Sequence, residues 1–190
     1  MSRTHFNSSF SVLNCKRRYS NHMLNKRENF DAPAFLLEGC AIDPLLDDQQ
    51  FAKLVARLVL SRRIVVCVTD LTFQDIDAVL DDTRRAQLKA TIETLKPKTV
   101  GVPAVLVPEK SKRAQPTFPG ETYPVSEEDQ ECLLRLRLDG RADARQALAA
   151  KWCGATLVTN DRKLVKLATD EGIRAVTTAE WHTLLERYEN

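Results

Sequence analysis

The chain has little of what small enzymes often show. Its five cysteines (Cys15, Cys40, Cys67, Cys132 and Cys153) are odd in number and scattered, with no CxxC pair. That argues against a zinc ribbon or a disulfide framework and fits a reducing compartment. The three histidines, His5, His22 and His182, are dispersed and suggest neither a catalytic base nor a zinc site. No P-loop, GxGxxG or GxSxG motif occurs. No internal repeat is visible. No apolar run approaches a membrane span, and the start lacks the apolar core of a secretory signal, so no membrane partner is expected.

What remains is ordinary for one globular domain. The 190 residues are 43% apolar and 28% charged, with a net charge of +2. That is enough chain for a single α/β core without disulfides or a structural metal. Charge is uneven along it. Residues 1–30 hold six basic side chains (Arg3, Lys16, Arg17, Arg18, Lys26, Arg27) against one acid, Glu28. This Ser- and Asn-rich stretch has no apolar periodicity. Residues 1–33 therefore read as a flexible basic arm and 34–190 as the domain. The expected location is cytoplasmic. The alternative is the mitochondrial matrix, because a basic, acid-poor start with "RRYS" at 17–20 looks like a transit peptide with a processing site.

Along the domain, strand-like and helix-like segments alternate. "AFLL" at 34–37 and the β-branched "RIVVCV" at 63–68 read as strands buried on both faces. "DDQQFAKLVARLVL" at 47–60 places Phe51, Leu54, Val55, Leu58 and Val59 on one helical face. Residues 72–95 read as one long amphipathic helix. "TVGVPAVLV" at 99–107 reads as a strand in which Pro103 marks an edge, a bulge or a break. The proline-rich segment 108–124 reads as a long mobile loop. Ser126 opens a helix with Asp129 three residues on, close to a capping box. Then "ADARQALAAKWC" (helix), "ATLVT" (strand), a helix closed by Gly172, "IRAVT" (strand) and a final helix follow. Such alternation predicts an α/β fold, a three-layer α/β/α sandwich around a mostly parallel sheet.

Ligands of such sheets bind beyond the carboxyl ends of the strands, where strand order reverses. The residues just after the expected strands are Glu38, then Asp70 and Asp75, then Asn160 and Asp161, while Asp143 opens the helix before the last of these strands. Acids converging there would repel one another unless a cation neutralised them. Carboxylate clusters select hard ions, Mg²⁺ or Mn²⁺.

These residues resemble a family. The stretch "ADARQALAAKWCGATLVTNDRKLVKLATDEGIRAV" is similar to the C-terminal half of PIN-domain nucleases. An Asp opens a helix of small residues, a Gly precedes an apolar strand, and Thr-Asn-Asp follows. Asp143, Gly154, Thr159, Asn160 and Asp161 match. "VCVTDLTFQDI" resembles the second acidic motif through Thr69 and Asp75. In "FLLEGCA", Glu38 stands where the family has Asp, with Gly39 and Cys40 replacing the hydroxyl residue and the third position. An extra methylene moves a carboxylate by about 1.5 Å, the scale of a C–C bond. The second acid is Asp where Glu is more usual, so the two exchanges would be expected to compensate in reach. The resemblance covers about residues 34–185 and is strongest in the last third.

The resemblance implies a PIN-like fold and a metal-dependent endoribonuclease. Glu38, Asp75, Asp143 and Asp161 would be catalytic ligands of Mg²⁺ or Mn²⁺. Thr159 and Asn160 would orient their turn or touch a phosphate. Arg145, Arg162 and Lys163 would draw in single-stranded RNA, helped by Lys110, Lys112 and Arg113 of the long loop. Aromatics are only 6% of the chain, so recognition would rest on phosphates and depend on salt. The implied protein partners are an antitoxin, as for a toxin of a toxin–antitoxin pair, and a second copy of the chain. The altered opening motif leaves an alternative, an impaired PIN-like module that binds RNA or a protein without cutting.

Plain structural roles compete for each acid. Asp161 can be a helix cap, Asp143 an ordinary helix-opening acid and Glu38 a surface acid. Asp77, Asp81 and Asp82 read as a solvated helix face beside Asp75. Asp43, Asp47 and Asp48 read as the start of a helix and Asp70 as a turn residue. Cys67, Cys132 and Cys153, with Trp152 and Trp181, read as core.

Overall fold

The computed structural model describes residues 30–104, 122–124, 126–136 and 141–189. The basic arm up to residue 29, residues 105–107 of the expected strand and 108–121 of the expected loop lie outside the described residues, and so do Lys110, Lys112 and Arg113.

Five short strands form the central sheet: β1 (Ala34–Leu37), β2 (Val65–Val68), β3 (Lys98–Thr99), β6 (Thr156–Val158) and β7 (Ala175–Val176). All pair in parallel, in the order β3-β2-β1-β6-β7. A separate parallel pair joins β4 (Val102–Ala104) to β5 (Thr122–Pro124). The helices are α1 (Asp43–Asp47), α2 (Gln49–Leu60), α3 (Asp70–Asp77), α4 (Asp82–Leu95), α5 (Glu127–Arg135), α6 (Arg141–Cys153), α7 (Arg162–Asp170) and α8 (Thr178–Glu189).

Strand side chains alternate between the two faces of a sheet, and here the alternation separates two cores. Phe35, Leu37, Val66, Val68 and Val158 belong to one, with Phe51, Leu54 and Leu58 of α2, Leu88 and Ile92 of α4, and Trp181 and Leu185 of α8. Leu36, Cys67 and Leu157 belong to the other, with Cys132 of α5, Ala147 and Leu148 of α6, and Leu164 and Ala168 of α7. The result is the three-layer α/β/α sandwich expected, with an entirely parallel sheet. Both clusters make strands that are apolar throughout, which is why β1 reads as an unbroken run.

The helix expected over residues 72–95 is two helices. α3 stops at a C-cap on Ala78, and Asp81 restarts the chain by accepting from the Thr83 and Arg84 amides. Capping by Asp81 competes with helix continuation, because its carboxylate satisfies two amides that would otherwise lack partners at a new N-terminus. The strand expected over 99–107 breaks before Pro103, so β3 ends the sheet and β4 turns to pair with β5. Thr122–Pro124, expected as the end of the loop, is that partner strand. Ser126 caps α5 as expected, accepting from the Asp129 amide at 3.1 Å. Gly172, at φ +73°, closes α7 as expected.

Candidate acidic site

Chain order reverses beside β1. The first three strands run outward one way, then β6 returns to the other side of β1. The crevice at the carboxyl ends of β1 and β6 is the place where such a sheet receives ligands. Glu38 follows β1 directly, and its backbone amide donates to the Val158 carbonyl at 3.1 Å. The first acid is therefore fixed against the end of β6 by the sheet itself.

Glu38 is buried, at 7% exposure. Burial raises its pKa to about 7; hydrogen bonds from Thr159 and Cys40 oppose the rise, and the charges of Asp143 and Asp75 add to it. Asp143 lies in the first turn of α6. Its pKa is also raised, first by burial and then by Asp161, while a hydrogen bond with Glu38 lowers it. Asp75, in the last turn of α3, is raised by desolvation of its carboxylate and by Asp143, although the residue as a whole is exposed. Glu38, Asp75, Asp143 and Asp161 thus form one electrostatically linked set, and all three of its shifted members are displaced toward the neutral form. Buried carboxylates that share a site behave in this way, burial contributing most and mutual repulsion adding to it.

Asp161 is the N-cap of α7. Its Oδ1 accepts from the Lys163 amide at 2.7 Å and the Leu164 amide at 3.2 Å. The capping role competing for this residue is real, but both bonds use one oxygen. The carboxylate caps the helix through Oδ1 alone, and its charge is felt at Asp143.

The other acids have plain occupations. Asp43 and Asp47 pair with Arg84, Asp82 with Arg85, and Asp77 with Lys89 at 2.5 Å. Asp48 and Asp81 cap α2 and α4. Asp70, expected in a turn, is the first residue of α3.

Thr159 and Asn160 shape the turn between β6 and α7. Thr159 is fully buried, and its hydroxyl accepts from the Asp161 amide at 3.0 Å. A hydrogen bond with Thr159 also lowers the Glu38 pKa against the effect of burial. Asn160 donates through Nδ2 to the Cys40 carbonyl at 3.1 Å and accepts through Oδ1 from the Thr178 hydroxyl at 2.7 Å. These bonds orient the turn between β6 and α7.

Among the expected cations, Arg162 and Lys163 are exposed in the first turn of α7. Arg145 is half-buried on α6, and burial lowers its pKa. A half-buried guanidinium is poorly hydrated, which strengthens its attraction for an anion.

Sequence reasoning missed two participants. Cys40 appeared only as a replacement in the opening motif. Its residue is exposed, but its sulfur donates to Glu38 Oε2 at 3.2 Å and lies 3.5 Å from the Thr159 hydroxyl. Desolvation and then the Glu38 charge push its thiol up to about 11, so it remains a neutral donor. Gln146 was unremarkable within an alanine-rich helix. It is fully buried, and its Nε2 donates to Asp75 Oδ2 at 3.3 Å. A fully buried glutamine among alanines is the one local signal that could have found it, because a buried amide needs partners.

Among the described residues, no group of three or more His, Cys, Asp or Glu side chains is arranged to hold a metal ion. The four acids interact but do not close on a common point. A groove of about 950 Å³ lies elsewhere, lined by Phe30, Ala34, Gly154, Arg174 and Tyr188 among others, and it contains none of the four acids. Among the described residues, no helix is long and apolar enough to cross a membrane.

With this geometry in view, the chain is similar to PAE2754 from Pyrobaculum aerophilum, with a TM-score of 0.54 and 16% identity over 84% of this chain and 99% of that one. The fold is PIN-like. FitAcB from Neisseria gonorrhoeae matches more loosely, with a TM-score of 0.42 and 16% identity over 76% of this chain and 98% of that one. No family model matches the chain. No curated protein matches it either.

Proposed function

We propose that the protein is a metal-dependent endoribonuclease that cuts single-stranded RNA at the acidic crevice. The observation that carries this reading is the linkage of Glu38, Asp75, Asp143 and Asp161 at the reversal point of the sheet. Structural needs do not account for such a gathering, since the raised pKa values mean that the folded state bears a cost for each ionised acid.

The donor set fits a hard divalent cation. All four side chains offer carboxylate oxygen, and their mutual repulsion is what a cation would relieve. Glu38, Asp75, Asp143 and Asp161 would hold Mg²⁺ or Mn²⁺, directly or through water. Once bound, such an ion would lower the pKa of a water and stabilise charge on a phosphodiester under in-line attack. The protein's own contributions are more specific. Thr159 and Cys40 orient Glu38, the α7 cap orients Asp161, and Arg162 and Lys163, in the first turn of α7 after Asp161, would supply positive charge, with Arg145 of α6 as a further cation. The PIN-like fold adds to the reading by analogy, and an antitoxin-like partner or a homodimer belongs to the same proposal on that ground alone.

A second reading is favoured by one observation: as they stand, the acids are not arranged around an ion. On that reading the protein is an impaired module that binds RNA or a partner without cleavage. Labelled single-stranded RNA incubated with wild type and with Asp143→Asn separates the two, in Mn²⁺ and in EDTA. Cleavage in Mn²⁺ that EDTA and the substitution both abolish supports the nuclease. Binding without cleavage, indifferent to metal, supports the module.

A further inference from the structure

Asp75 reaches the crevice from a helix that comes unusually close to Gly39, in the turn after β1. A β-carbon built on Gly39 would lie 2.5 Å from the Asp75 β-carbon and 2.9 Å from its Oδ2. Real β-carbons do not come so near, so any side chain at position 39 would drive Asp75 away. The Gly39 backbone amide also steadies the carboxylate, lowering its pKa against the effect of burial. On the far side stands Gln146. An ionised carboxylate can only accept, so the amide group of Gln146 must turn its Nε2 toward Asp75. The opposite end of that amide is also tied. Gln146 Oε1 accepts from the Thr72 hydroxyl at 3.5 Å, and the hydroxyl shares its one proton with the nearer Leu37 carbonyl at 2.9 Å. Thr72 belongs to the capping box that starts α3 with Thr69. A chain of buried polar groups therefore runs from the end of β1, through the first turn of α3, across to α6, and ends on the Asp75 carboxylate.

We propose that Gln146 is a positioning residue, and that its side-chain amide and the bare face of Gly39 together form the seat that holds Asp75 in the crevice. This role rests on the proposed function and deepens it. A fully buried amide contributes no surface for solubility or partner binding. Its position between Thr72 and Asp75 ties the second acid to the strand that delivers the first.

The test measures Mn²⁺ affinity by calorimetry on the full chain, with RNA cleavage as a second readout. Gln146→Leu keeps the volume and removes the donor, and it should weaken Mn²⁺ binding about tenfold, the low end for groups that orient metal ligands. Gly39→Ala leaves Gln146 intact, forces Asp75 outward, and should give a similar loss. In an Asp75→Asn background, Gln146→Leu should cause no further loss, because its effect passes through that carboxylate. A Gln146→Leu protein that binds Mn²⁺ and cleaves like wild type overturns this role alone. So does an equal loss in both backgrounds. Wild-type protein that neither binds Mn²⁺ nor cuts RNA removes the nuclease reading, and this role falls with it.

Discussion

Asn160 holds Cys40 at two points: its backbone amide donates to Sγ at 3.1 Å, and its Nδ2 donates to the Cys40 carbonyl at 3.1 Å. The same side chain accepts from the Thr178 amide and hydroxyl, at 3.2 and 2.7 Å. One amide group therefore joins three segments around the crevice: the turn after β1, the turn after β6 and the start of α8. Asn160→Ala should cost about 1–3 kcal/mol, the range for hydrogen bonds whose partners lose their pairing. Denaturant unfolding with an unchanged m-value checks it. A loss below about 0.5 kcal/mol, the usual size of an unremarkable surface change, would mean that water replaces the amide at no cost.

Stability should fall as pH rises from about 4.5 to about 7 when divalent ions are absent. Folded Glu38 holds its proton up to about pH 7, against an ordinary value of 4.5. Between those values the native state binds more protons than the unfolded chain, so each step up in pH favours unfolding. The total is on the order of 3 kcal/mol at 1.4 kcal/mol per pKa unit, and the raised values of Asp75 and Asp143 act in the same direction. Thermal melts from pH 4 to pH 8 should show the decline. Glu38→Gln should flatten it and leave the protein more stable than wild type at pH 8.

Mn²⁺ or Mg²⁺ should reverse that decline. An ion that binds only the folded state adds about 2.7 kcal/mol at a hundred times its dissociation constant. At pH 8 the melting temperature should rise with Mn²⁺ and return with EDTA, and Asp143→Asn should abolish the rise. A wild-type melting temperature indifferent to Mn²⁺ would favour the impaired module.

Asp81 offers a control acid outside the crevice. Its Oδ1 accepts from the Thr83 amide at 2.8 Å and the Arg84 amide at 3.0 Å. Asp81→Ala should cost about 1 kcal/mol, as for other helix caps, and should leave RNA cleavage unchanged. Cleavage lost without global destabilisation would place this acid in the site.

How much of this was legible in the residues varies with the distance over which each decision is made. β1 and β2 were legible because strands buried on both faces are apolar at every position. The caps at Ser126 and Asp161 were legible because capping is decided within three residues. The break at Ala78–Asp81 was not, since Val79 and Leu80 continue an apolar pattern and only the competing cap at Asp81 ends it. Glu38, Asp143 and Asp161 stood out because each follows a strand or opens a helix at one end of the sheet, and Asp75 because its spacing from Thr69 resembles an acidic motif. Gln146 and Cys40 were not found as participants, because their partners Asp75, Glu38 and Thr159 meet them only in the folded chain. Gly39 looked like a defect in a motif. The structure shows it instead as the space into which Asp75 fits.

The central claim is that the four carboxylates gather a cation. The most direct measurement is the anomalous scattering of crystals grown at pH 8 with Mn²⁺. The predicted result is a Mn²⁺ peak among Glu38, Asp75, Asp143 and Asp161, absent from crystals of Asp143→Asn. A wild-type crevice without such a peak, or Mn²⁺ bound only elsewhere, would contradict it.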